Sequence, residues 1–153
     1  MSKSKSSRAR KGRILNRILL IAYIGLLIFF MFFSDDLGRQ IQGRERTYNL
    51  VPFSEIKRFW NMRYSYGWGV TIMNLLGNVI IFVPFGLLVP ASAKKKYLKN
   101  FFTVMALTLA LSAGIEVIQY LTKVGAFDID DIILNFAGGF IGYIAYLFAR
   151  LVN

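Results

Sequence analysis

Four stretches of the chain are apolar for about twenty residues each, the length that lets a helix cross a hydrocarbon core of about 30 Å. They lie at about 14–33, 71–91, 101–121 and 132–152. A polar and aromatic segment, 34–70, separates the first two, the connector Lys94–Lys99 the next two, and a turn at Thr122–Phe127 the last two. The pattern predicts an all-α polytopic membrane protein, a four-helix transmembrane bundle in one domain spanning 14–153. Residues 1–13, basic and Ser-rich, bury nothing and are expected to be a disordered cytoplasmic tail. The first span is too long for a signal peptide core and is not followed by a small-residue cleavage site, so it reads as a retained anchor. The first loop is long enough for a short amphipathic or re-entrant helix around Ser54–Met62, expected at the interface. Trp60, Tyr64, Tyr66 and Trp68 beside it suit the membrane–water boundary. Pro84, central in the second span, removes a backbone donor and is expected to kink it.

Polar residues interrupt three spans at helical spacing. Thr71, Asn74 and Asn78 recur on one face of the second, and Ser112, Glu116, Gln119 and Lys123 on one face of the third. Asp128, Asp131 and Asn135 lead the fourth, followed on that face by Gly138 and Gly142. Four of the chain's eight carboxylates fall between Ser112 and Gly142. Ionisable groups at bilayer depth are costly and usually face the bundle interior in a functional role. Asn74, Asn78, Glu116, Gln119, Asp128, Asp131 and Asn135 are therefore the candidate binding residues. Structural alternatives stay open: Asp128 and Asp131 also suit an N-cap and its first-turn acid, and the two asparagines interhelical bonding. Gln119 also suits a partner for Glu116. Ala106, Ala110 and Gly114, and Gly138 with Gly142, make two small-residue series expected to let helices approach closely.

Composition narrows the chemistry. The chain has 153 residues, 56% of them hydrophobic, and no cysteine or histidine. Disulfides, thiolates, imidazole catalysis and the commonest zinc ligands are excluded. The net charge of +11 comes from Lys and Arg flanking apolar spans, which points to topology and anionic lipid rather than to nucleic acid. With both termini cytoplasmic, twelve of the nineteen Lys and Arg lie inside, as the positive-inside rule favours. The three polar stripes then open outward.

The ordered run Asn74-x-x-Gly77-Asn78, Pro84-x-Gly86, Glu116-x-x-Gln119, Asp128-x-x-Asp131-x-x-x-Asn135-x-x-Gly138, with Asn49-Leu-Val-Pro52-Phe53 upstream, resembles the VanZ-like family over about residues 47–146. The chain departs from it at Val124-Gly125-Ala126-Phe127, where many members carry an arginine. The resemblance implies a cell-membrane protein, as in Gram-positive bacteria. It is expected to act at the outer leaflet on lipid-linked peptidoglycan precursors or lipoglycopeptides and to lower teicoplanin susceptibility, without a known reaction. The alternative is an intramembrane enzyme on a lipid-linked substrate, with Glu116 and Asp131 as acid, base or metal-ligand carboxylates. A variant has Glu116, Asp128 and Asp131 holding a hard cation such as Mg²⁺. No nucleophile motif or phosphate-cradling loop supports catalysis, and no cofactor is otherwise expected. Four spans without visible inverted repeats argue against a transporter.

Overall fold

The computed structural model describes residues 2–33 and 47–152. Helix α1 (Ser2–Phe33) is followed, past residues 34–46, by a two-residue strand β1 (Tyr48–Asn49), the short helices α2 (Ser54–Asn61) and α3 (Arg63–Tyr66), and the long helix α4 (Trp68–Ser92). A 3-10 turn at Lys96–Lys99 leads to α5 (Phe101–Thr122), then strand β2 (Phe127–Asp128) and α6 (Ile129–Val152). The strands pair in parallel, Tyr48 with Phe127 and Asn49 with Asp128. Four helical segments are long and apolar enough to span a membrane: Arg10–Phe30, Trp68–Ser92, Phe101–Thr122 and Ile129–Val152. The expected interfacial helix is α2, and the part of the first loop at 34–46 lies outside the described residues.

Helices α4 and α6 run parallel and meet backbone to backbone. A Cβ added at Gly138 or Gly142 would collide with the carbonyl oxygens of Val79 and Val83, and one added at Gly86 with the carbonyl of Gly139. Gly139 in turn leaves room for Thr108 of α5, whose Cγ2 would lie 2.6 Å from an added Cβ. With no side chain between them, the helices gain dispersion contacts that a bilayer's lipid tails cannot match by hydrophobicity alone. On one side of this crossing Leu27 of α1 packs with Phe82, Phe85 and Ile115; on the other Val104 and Met105 pack with Tyr143 and Tyr146.

Helix α1 lies antiparallel to α4. Asn16 and Arg17 donate to the carbonyls of Ala91 and Ser92 at the end of α4, and Tyr23 Oη to Ile81 O at 2.8 Å. That tyrosine bond falls beside Pro84, through which α4 passes without interruption. Asn100 caps α5 by accepting from Phe102 N–H, and Lys123, at φ 60°, closes its other end.

Three expectations change. The basic segment 2–13 continues α1 as helix rather than lying disordered; once a span has nucleated, each further residue needs only one more bond to be added. The series Ala106, Ala110, Gly114 brings no helix close: both alanines are exposed, and a Cβ on Gly114 would meet nothing. Helix α6 starts at Ile129, so Asp130 and Asp131 belong to its first turn.

Candidate functional site

The polar groups gather at the end of the bundle where α4 and α6 begin and α5 ends. Three carboxylates from the sequence Asp128-Ile-Asp130-Asp131 reach three different elements. Asp128 is the N-cap of α6: its Oδ1 accepts from Asp130 N–H at 2.8 Å and from Asn49 Nδ2 at 3.0 Å, tying β1 to β2. Asp131 crosses to α4, accepting from Asn78 Nδ2 at 2.5 Å. Asp130, 1% exposed, turns to α2 and accepts from the backbone N–H groups of Phe53, Glu55 and Ile56 at 2.5, 2.8 and 3.2 Å.

Helix α2 has no capping side chain of its own. The first N–H groups of a helix have no partner within it, and its N-terminus favours a negative charge. Asp130 supplies both needs from the far end of the chain. Phe53, whose N–H is among those groups, stands at φ 65° where α2 begins, a left-handed conformation that costs a non-glycine residue about 1 kcal/mol or more. Asn49 steadies the approach, its Oδ1 accepting from Val51 N–H and Ser54 Oγ at 3.1 and 2.9 Å. Thr71 Oγ1 donates to Phe59 O, fixing the other end of α2 to α4.

Beneath this latch lies a buried column. Glu116, 1% exposed, accepts from Asp128 N–H at 3.0 Å. One turn deeper, Asn135 Nδ2 donates to Ser112 Oγ at 2.9 Å, both residues being fully buried. Among the described residues, Asn135 Oδ1 is the buried side-chain polar atom with no hydrogen-bond partner. Gln119 is buried beside Gly125, and its carbonyl accepts from Val124 and Gly125 N–H as the chain turns.

Electrostatics follow from burial. Outside the spans, partial burial pushes the Asp128 carboxyl above the usual aspartate range, against the lowering effect of its bonds to Asp130 N–H and Asn49. Burial likewise raises Glu55, against its ion pair with Arg58. Above α2 the surface is aromatic: Arg63 stacks on Tyr64 at 4.5 Å, Trp60 at 5.1 Å and Trp68 at 5.7 Å, and all three rings are exposed.

A family model described as VanZ/LLP1 matches residues 19–150. The chain is also 35% identical over 137 residues to Protein VanZ of Enterococcus faecium, covering 88% of this chain and 75% of that one. The chain belongs to the VanZ family. No solved structure matches it.

Of the residues singled out in this VanZ-family chain, Asn78, Glu116, Gln119, Asp128, Asp131 and Asn135 lie at the same end of the bundle. Asn74 stands apart, exposed and donating back to Val70 O of its own helix. Lys123 leaves the α5 stripe as the left-handed cap. Glu116, Asp128 and Asp131 do not converge: among the described residues, no three carboxylates form a group able to hold a metal ion. Asp130, the most buried of the three aspartates, falls outside the helical spacing that links Asp128, Asp131 and Asn135. Asn49 was visible only as part of the Asn49-Leu-Val-Pro52-Phe53 motif.

Proposed function

We propose that this VanZ-family membrane protein binds, at the outer leaflet, a lipid-linked envelope precursor or a lipoglycopeptide, and so lowers susceptibility to teicoplanin without catalysing a reaction. The observation that carries this reading is the buried acceptor Asn135 Oδ1, on a side chain that donates to Ser112 at the end of the bundle that also holds Glu116, Asp131 and the exposed rings of Trp60, Tyr64 and Trp68. An unmet buried carbonyl costs about 1–3 kcal/mol, which a ligand rich in amide and hydroxyl donors would offset. The aromatic rings around Arg63 offer such an amphipathic ligand a boundary surface. The enzymatic alternative lacks a comparable observation: Glu116 and Asp131 are each engaged by a protein donor.

The test is teicoplanin susceptibility of a sensitive Gram-positive host carrying empty vector, wild type, Glu116→Gln or Asn135→Leu at matched membrane levels. Wild type is expected to protect, Glu116→Gln to retain part of that protection, and Asn135→Leu to lose it. Abolition by Glu116→Gln alone would favour proton chemistry instead. Failure of wild type to protect would remove the reading altogether.

The same reading puts both termini in the cytoplasm. Its support is the gathering of Lys94, Lys95, Lys96, Lys99 and Arg150 at the end away from the carboxylates. A single cysteine at Gly125 is expected to react with an impermeant maleimide in intact cells; labelling only after lysis would reverse the orientation.

A further inference from the structure

The opposite end of the bundle carries a site of opposite sign. Arg10, Arg13, Ile14 and Arg17 of α1, with Lys94 just beyond α4, line a cleft of about 390 Å³. The three arginines recur at i, i+3 and i+7, which puts them on one face of a helix. Arg17 is fixed beside the cleft by its bond from Nε to Ser92 O at 3.2 Å. Every carboxylate among the described residues lies at the other end, in α2, late in α5, or at Asp128–Asp131. That is most of a helix length away, about 1.5 Å per residue over more than a dozen residues, well beyond a Debye length of about 8 Å.

Four cations around one cleft repel one another, and no side chain among the described residues neutralises them: the ion pair there is Arg58 with Glu55, at the acidic end. The position is equally informative. Arg10 opens the apolar span Arg10–Phe30, so the cleft sits where a headgroup meets the hydrocarbon region, and Ile14 gives it an apolar wall. Basic pockets between helices at this depth suit phosphate-bearing headgroups, and guanidinium groups match phosphate oxygens in fork geometry. The Ser92 carbonyl at the end of α4 partly occupies Arg17, which leaves Arg10, Arg13 and Lys94 as the main hydrogen-bond donors to a phosphate.

We propose that this cleft binds the phosphate of an anionic phospholipid headgroup as a discrete site, distinct from diffuse attraction to a charged surface. The test uses the full chain in mild detergent, mixed with equal phosphatidylglycerol and phosphatidylcholine, with retained lipid counted by native mass spectrometry. Wild type is expected to retain phosphatidylglycerol in clear preference. Replacing Arg10, Arg13, Arg17 and Lys94 together by glutamine is expected to lower that retention about tenfold or more. Replacing Lys95, Lys96, Lys99 and Arg150, which removes the same charge from the same end, is expected to leave it. Ile14→Trp keeps every charge and adds bulk at the cleft's apolar wall, and is expected to lower retention as well. Equal loss in both quadruple variants, or full retention by Ile14→Trp, would overturn the discrete site. Displacement of the lipid by millimolar glycerol phosphate or inorganic phosphate would assign the cleft to a soluble phosphate and overturn the lipid assignment.

Discussion

The crossing of α4 and α6 and the acidic end above it are both built on bare backbone, by opposite means. At the crossing, Gly86, Gly138, Gly139 and Gly142 remove side chains so that carbonyls of one helix rest against the Cα atoms of the next. At the acidic end, Asp128, Asp130 and Glu116 take up backbone N–H groups that no helix or strand partner satisfies. The first arrangement depends on shape and tolerates no added volume. The second depends on acceptors and, among the described residues, leaves the one on Asn135 unmet. Close backbone packing thus belongs to the glycine crossing, and the unmet buried acceptor to the acidic end.

The largest effect is expected from breaking the crossing. Gly142→Leu would drive a side chain into Val83 O and Leu87 N and is expected to destabilise the protein by about 3 kcal/mol or more, the upper range for overpacking. Gly114→Leu, on a face where an added Cβ meets nothing, is expected to stay within about 0.5 kcal/mol of wild type. Unfolding in mixed micelles of rising SDS content measures both; equal stability of the two variants would remove the distinction between the glycine series.

These two glycines also mark how far the sequence could be read. Four spans were legible because hydropathy over some twenty residues needs no partner to interpret. Spacing showed that Ala106, Ala110 and Gly114 share a face, as Gly138 and Gly142 do. It could not show which face has a neighbour, since that depends on where α6 lies beside α4. Asn74 was misplaced for the same reason: it is spaced with Asn78 but exposed. Asp130 was illegible for another. Its partners, Phe53 to Ile56, precede it by 74 to 77 residues, and capping signals are read from neighbours within a turn. Helix α2 has no local cap, and that missing signal is the one trace its distant partner left in the sequence.

An intermediate effect is expected from Asp130→Asn. It keeps the side chain's size but replaces one acceptor oxygen by a donor facing N–H groups, and it removes the charge favoured at a helix N-terminus. A cost of about 1–3 kcal/mol follows from leaving such buried groups unmet, and it should fall locally. Hydrogen exchange at Phe53–Asn61 is expected to accelerate while α4 and α6 stay protected, because the glycine crossing does not depend on the latch. Uniform acceleration through the spans would show the two regions to be one cooperative unit.

The smallest effect is a pH dependence confined to the acidic end. Partial burial raises Asp128 above the ordinary aspartate value near 4, so the folded state holds that proton more tightly than the unfolded chain does. The stabilisation is therefore fully present below the unfolded value and is lost as pH rises through the folded one. Glu55, raised for the same physical reason, adds a slope of the same sign. Thermal stability of wild type is expected to fall as pH rises from about 4. Asp128→Asn still offers an oxygen to Asp130 N–H, and with Glu55→Gln it is expected to flatten that fall without lowering stability near neutrality as far as Asp130→Asn does. An unchanged slope in the double variant would move the titration to other groups; a steeper one would mean that the bonds from Asp130 N–H and Asn49 outweigh burial, and that ionised Asp128 strengthens the latch. Neither result would touch the crossing, which contains no titratable group at its glycines, so the pH profile reads the acidic end by a route independent of the Asp130 substitution.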